Sequence, residues 1–135
     1  MTLTRRKPLA RTGRLKPVSD KRRAYWNSPE GKAGLEHMRR VRELPCVICQ
    51  RWGFVQTSPS EAHHAIHGRY SARKAPDTAT LPLCCEHHRE SNDPAKIALH
   101  ANPSRWKREY GMDTDFLPIV ADLLAGQMTP IKEGE

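Results

Sequence analysis

Hydrophobic positions are sparse and fall in short separated groups, so the elements they predict are short as well. Residues 1–18 are rich in Arg, Lys, Pro and Thr with little hydrophobic periodicity, which predicts an extended or disordered arm. Ser19 is placed to cap a short helix through Trp26. Ser28-Pro29 then opens a second helix, with proline in the first turn where its missing donor is harmless. That helix is expected to reach about Glu43 and to present Leu35, Met38 and Val41 on one side, although Gly31 and Gly34 weaken it. Leu44-Pro45 ends it, and Gly53 allows a turn after Cys46–Trp52. Strands are predicted at Phe54–Val55, Glu61–Ile66 and Thr78–Leu83, with a Gly/Arg/Lys/Asp loop over 67–78. A helix begins near Cys84 and is interrupted at Asp93-Pro94. Two more follow, Ser104–Tyr110 stopped by Gly111 and about Asp115–Ala125 stopped by Gly126. Phe116, Ile119, Val120, Leu123 and Leu124 recur at helical spacing and read as packing residues.

Mixed short strands and helices in 135 residues give an α+β chain with one domain and a tail, and no room for two cores. Only 37% of residues are hydrophobic and 6% aromatic, against 11 prolines, so a structural metal would help so thin a core. Nothing approaches 18 consecutive apolar residues, so no membrane partner or span is expected. The basic N-terminus lacks the apolar stretch of a secretory signal, which places the thiols in a reducing, cytoplasmic setting. The net charge of +8 is uneven: residues 1–42 hold 13 Lys/Arg against three acids, and residues 43–135 hold 10 against 12. Such an arm suits a polyanion, bound through counterion release, although a solvated tail or an address signal has the same composition.

The candidate chemistry lies downstream of that arm. Cys46 and Cys49 stand in C-x2-C spacing, and Cys84 and His87 repeat the spacing 35 residues after Cys49. These four can close a tetrahedral zinc site. A His63-His64 doublet lies between the pairs, and His88 and Asn92 follow the second. On a helix Cys84 and His87 share a stripe about 60° wide, while His88 and Asn92 share an adjacent one about 40° wide. The alternative frame, Cys85 with His88, leaves His87 facing Ser91, a poor ligand. One helix can therefore serve two ions, one closed off and one open to water.

The segment EAHHAIHG…KAPDTATLPLCCEHHRESN, preceded by PCVIC, resembles the HNH endonucleases of ββα-metal (His-Me finger) architecture, closest to small phage or prophage members associated with recombination. The resemblance covers roughly residues 43–111. It implies a treble-clef-like ββα-metal core at about 44–111, a basic arm over 1–27, and a nuclease domain over 28–135 that ends in a helix at about 115–126. It further implies that His64 is the general base, that His63, His88 and Asn92 hold a catalytic divalent ion (Mg2+, Mn2+, Zn2+ or Ni2+), and that Cys46, Cys49, Cys84 and His87 hold structural Zn2+. Asn92 departs from the histidine often found at that offset. Asp77 lies near the motif's central Asn, whose slot by spacing falls on Ala79, and is expected to support the site.

The implied reaction is hydrolysis of DNA phosphodiester bonds to 5′-phosphate and 3′-hydroxyl ends, with DNA and a recombinase filament or other phage DNA-processing protein as partners in the host cytoplasm. The chemistry asks for the same groups: an imidazole poised near neutrality to deprotonate water, and a cation against the phosphate. Arg69, Arg73 and Lys74 in the inter-strand loop, and Arg5, Arg6, Lys7, Arg11, Arg14, Lys16, Lys21, Arg22 and Arg23 in the arm, are the candidate phosphate contacts. The alternative is a catalytically inactive, zinc-stabilised nucleic-acid-binding accessory protein. A zinc-bound adaptor would leave the histidines unexplained. Of the remaining residues, His37 is expected on the outer face of its helix, His67 in a turn and His100 in a structural role. Trp52, Trp106 and Tyr110 are expected over the core, Cys85 in packing, and Tyr25 and Trp26 are the aromatic candidates for DNA contact.

Overall fold

The structure, a computed structural model, describes Gly13 and residues 16–128. Arg5, Arg6, Lys7, Arg11 and Arg14 of the expected phosphate-binding arm lie outside the described residues. Helix α1 (Asp20–Asn27) starts where the Ser19 hydroxyl accepts from the Arg22 N–H at 3.2 Å. Ser28 closes α1 and opens α2 (Pro29–Arg42): its hydroxyl donates to the Tyr25 carbonyl and accepts from the Gly31 N–H at 3.0 Å. One side chain therefore serves two helix ends, which makes the hairpin tight.

The packed face of α2 is Gly31, Gly34 and Val41. Leu35, expected on that face, is 42% exposed, and Met38 is half-buried. Close approach decides the difference. A Cβ at Gly31 would lie 1.8 Å from the Tyr25 carbonyl oxygen, and one at Gly34 would lie 2.8 Å from Asp77 Oδ2. The two glycines that weaken the isolated helix are the positions where it touches its neighbours.

Helix α3 (Val47–Trp52) has Cys46 as its N-cap and ends at Gly53, whose φ of 74° is left-handed. The expected Phe54–Val55 strand does not form. The Phe54 N–H closes the end of α3 by donating to Cys49 O at 2.9 Å, and Val55 is 78% exposed. Strands β1 (Glu61–His64) and β2 (Thr80–Leu83) pair antiparallel, Glu61 opposite Leu83 and His64 opposite Thr80. The first is shorter than expected because the N–H groups of Ile66 and His67 leave the ladder and donate to Asp113 at 2.7 and 3.0 Å.

Helix α4 (Cys85–His88) is a single turn. Helix α5 (Pro103–Tyr110) is capped by Asn102 and ended by Gly111 at φ 98°. A 3-10 turn at Asp113–Phe116 leads into α6 (Leu117–Met128), which runs through Gly126 because that residue lacks the positive φ that would stop it. The core of this small α+β fold gathers Val41, Ile48, Leu81, Leu83, Leu99, Trp106, Phe116, Val120 and Leu124 around Cys46, Cys49 and Cys84. Trp106 is fully buried and Tyr110 nearly so, as expected, with Trp52 edge-on to Tyr110 at 5.0 Å. Among the described residues no helix is long and apolar enough to cross a membrane.

Gly31→Ala and Gly34→Ala each gain about 1 kcal/mol of helix propensity, but the contacts force backbone or Asp77 to move at a cost of about 1–3 kcal/mol or more. Both should lower the urea midpoint. Gly126→Ala, where a Cβ meets nothing, should raise it.

Candidate metal centre

Cys46 at the start of α3, Cys49 one turn on, Cys84 at the start of α4 and His87 within it bring four buried ligand atoms within 4.8 Å of one another. Cys49 Sγ lies 3.7 Å from Cys84 Sγ, and His87 Nδ1 lies 3.7, 3.4 and 3.2 Å from the sulfurs of Cys46, Cys49 and Cys84. A tetrahedral ion with metal–sulfur bonds of about 2.3 Å and a metal–nitrogen bond of about 2.0 Å has edges of about 3.5–3.8 Å. Two of the four distances match that and two are slightly shorter, so a small outward shift of His87 would let the four residues hold one ion such as zinc. Without a cation, the thiols oppose one another. Burial pushes Cys49 up to about 11, and the Cys46 hydrogen bond together with burial pushes Cys84 up to about 11. Cys46 is shifted down by its bond to Cys84. The His87 ring is set by Phe54 and Tyr110, at 5.2 and 5.7 Å. Its Nε2 is buried with no hydrogen-bond partner among the described residues, and Nδ1 is the nitrogen turned to the sulfurs. Cys85 stands outside the cluster, half-buried, with its N–H on Ser58 Oγ at 3.0 Å.

A second group brings His63, His88 and His100 within the same 4.8 Å limit. Their rings are 5.0 Å (His63–His88), 5.3 Å (His63–His100) and 4.8 Å (His88–His100) apart. Asp113 Oδ2 holds His63 Nε2 at 2.9 Å and Glu61 Oε1 holds His88 Nδ1 at 3.0 Å, so His63 offers Nδ1 and His88 offers Nε2. A carboxylate behind each ring fixes its orientation and leaves the other nitrogen to a metal. Asn92, expected as the third ligand, is exposed in the loop beyond α4. The i, i+4 argument fails there because α4 ends at His88. The chain then loops out and returns, with Leu99 and His100 N–H donating to the carbonyls of His87 and His88 at 3.0 Å each. That return overcomes the redirection at Pro94 and sets His100 in the place expected for Asn92.

Burial pushes His63, His88 and His100 below their ordinary value, against the opposing pull of Asp113 on His63 and Glu61 on His88. Neutral imidazole is the metal-binding form. Asp113 is fully buried. Burial alone would raise it, but His63 and the N–H groups of Ile66 and His67 outweigh burial and hold it below the usual carboxylate range. Its own N–H donates to His67 Nδ1 at 3.0 Å, so His67 is a tied residue rather than a free turn histidine.

His64 lies outside the three-histidine group. Its Nε2 is 2.8 Å from Asp77 Oδ1, and the Tyr25 hydroxyl donates to Asp77 Oδ2 at 2.8 Å. Burial would raise Asp77, but the bonds from His64 and Tyr25 prevail and keep it low. A carboxylate only accepts, so Nε2 carries the hydrogen and Nδ1 presents the lone pair. Ala79, in the motif's central slot, contributes backbone alone: its carbonyl accepts from the Ala65 N–H at 3.0 Å and its N–H donates to the Pro76 carbonyl at 2.9 Å. Tyr25 is thus engaged at this pair, while Trp26 remains 40% exposed.

Of the basic residues, Arg69 stacks on Tyr70 at 4.9 Å and donates to its hydroxyl at 2.6 Å. Lys16 pairs with Asp20 at 3.0 Å. Lys21, Arg22 and Arg23 on α1 and Arg73 and Lys74 in the loop are exposed. His37 is half-buried rather than outward, with Nε2 unpartnered among the described residues and its pKa pushed down by burial.

Glu61 and Asp113 were not singled out from the sequence, Tyr25 was expected to contact DNA rather than Asp77, and His100 was expected in a structural role. Glu61 was within reach, since i and i+2 on a strand share a face and His63 is that partner. Asp113, arriving from beyond α5, has no local signal.

Two outcomes follow from this geometry. His100→Ala should weaken binding of a second equivalent of Zn2+ or Co2+ by at least tenfold, roughly one ligand's worth, while Asn92→Ala leaves it unchanged; isothermal titration separates them. The folded histidines titrate below 6.5, so the unfolded chain takes up protons first and stability, full above that value, falls as pH drops through it. A urea midpoint lower at about pH 5 than at about pH 7.5 is the expected result.

Comparison with known proteins finds no curated protein and no solved structure that matches the chain. Residues 20–123 match a family described as a protein of unknown function (DUF968), a span that holds both clusters together with Tyr25, His64, Asp77 and Asp113. The chain belongs to the DUF968 family.

Proposed function

We propose that this chain is a metal-dependent HNH endonuclease that hydrolyses phosphodiester bonds in DNA. The observation that carries the reading is the pairing of unlike neighbours at the end of β1. His63 joins a three-histidine group, while His64, the next residue, stays out of that group and is held by Asp77 through Nε2. A ligand set beside an unligated, oriented imidazole is what metal-assisted hydrolysis requires. In this reading His64 Nδ1 takes the proton of the attacking water, and Asp77 stabilises the imidazolium that results.

His63, His88 and His100 would hold the divalent ion, which when bound supplies positive charge against the phosphate and the departing 3′ oxygen. An all-imidazole set suits Zn2+ or Ni2+ better than Mg2+, which prefers oxygen. Cys46, Cys49, Cys84 and His87 would hold structural zinc. Lys21, Arg22, Arg23, Arg73 and Lys74, exposed on α1 and the inter-strand loop, would meet backbone phosphates, joined by the arm that precedes them.

Supercoiled plasmid incubated with the full chain and Zn2+, Ni2+, Mn2+ or Mg2+ should be nicked with at least one of them. His64→Ala should slow nicking by about 10²–10⁴-fold, the range of general-base catalysis, with zinc content and DNA retention unchanged. DNA retained without cleavage under every ion, or cleavage indifferent to His64→Ala, would replace the nuclease by a zinc-stabilised DNA-binding accessory protein.

A further inference from the structure

We infer that Tyr25 is a positioning residue for His64, acting through Asp77, and that α1 is therefore a working part of the site rather than only the base of the arm. The inference deepens the nuclease reading and rests on it for its catalytic consequence. The geometry is its own. Asp77 has two oxygens and two donors: Oδ1 takes His64 Nε2 and Oδ2 takes the Tyr25 hydroxyl, each at 2.8 Å.

A carboxylate in a surface loop rotates freely about its side-chain torsions unless both oxygens are engaged. Here the remaining freedom is removed from behind, because α2 leaves no room at Gly34 for even a methyl group, with Asp77 Oδ2 at 2.8 Å and Asp77 Cβ at 2.9 Å from a built Cβ. The Tyr25 hydroxyl lies 3.1 Å from the same point. Asp77 is thus wedged between a hydroxyl from α1 and the backbone of α2. The Ser28 double cap sets the hairpin angle that delivers the hydroxyl. Lys21, Arg22 and Arg23 are exposed on the same two turns of helix that carry Tyr25. A polyanion drawn to those cations therefore pulls on the element that orients the imidazole.

Tyr25→Phe keeps the ring and removes only the bond to Asp77. In full-length protein labelled with 15N-histidine, at a pH where imidazole is neutral, long-range 1H–15N correlations report which His64 nitrogen carries hydrogen. The wild type should be almost wholly the Nε2–H tautomer and Tyr25→Phe a mixture. Nicking by Tyr25→Phe should lose about tenfold in kcat with KM unchanged, the scale of one hydrogen bond. Ser19→Ala, which weakens the α1 cap without touching the ring, should lower Tm and leave the His64 signature as in the wild type. A Tyr25→Phe protein with an unaltered His64 signature overturns the inference, and so does a Ser19→Ala protein that reproduces the change. If the wild type does not nick, the nuclease reading fails and the tautomer measurement alone decides the role of Tyr25.

Discussion

A single turn of helix, Cys85–His88, carries two imidazoles on consecutive residues, and consecutive residues on a helix point about 100° apart. That angle separates the two clusters. His87 faces the three sulfurs in the core, and His88 faces His63 and His100. The backbone carbonyls of the same two residues accept the N–H groups of Leu99 and His100. One turn therefore supplies an imidazole to each group and also the edge on which His100 is hung. A longer helix would have used those carbonyls itself and left none for the returning turn at 99–100.

Orientation is imposed by acids from three separate parts of the chain. Asp113 holds His63, Glu61 holds His88 and Asp77 holds His64. Each accepts at one ring nitrogen, which dictates the nitrogen left exposed. Asp113 is the most demanding of the three, since a fully buried carboxylate is tolerated only with its lone pairs filled. It is filled by one ring and two backbone amides, and those amides are the ones β1 gives up at its end. Shortening the strand and orienting the histidine are therefore one event.

Much of this was legible locally. Ser19, Ser28-Pro29 and Gly111 mark helix ends by chemistry that acts within one turn, and the helices begin and end there. The spacing of Cys46, Cys49, Cys84 and His87 is a short-range constraint, and the structure gathers those four in the expected frame. What failed depends on tertiary approach. Gly31 and Gly34 read as weakening their helix because propensity describes an isolated helix, whereas here the absent Cβ is the contact itself. Asn92 was favoured over His100 by extending a helix whose end is fixed by hydrogen bonds to residues ten and more positions away. Tyr25 was expected to contact DNA because nothing in its neighbourhood announces Asp77, 52 residues on.

The thin core makes the two clusters interdependent. Cys46, Cys49 and Cys84 sit inside the main hydrophobic group, with Leu81, Leu83 and Trp106 around them, so an ion there would be a core component and not an ornament on a finished fold. Its binding would fix β2, the start of α4 and hence His88. The 99–100 return hangs from the carbonyls of His87 and His88, so His100 would be fixed as well. Independently of that ion, Asp113 holds the His63 ring and Glu61 holds the His88 ring. Two of the three histidines in the second group thus take their backbone positions from the element that the first group secures, so a solution condition that loosens the cysteine cluster would act on the histidine group as well.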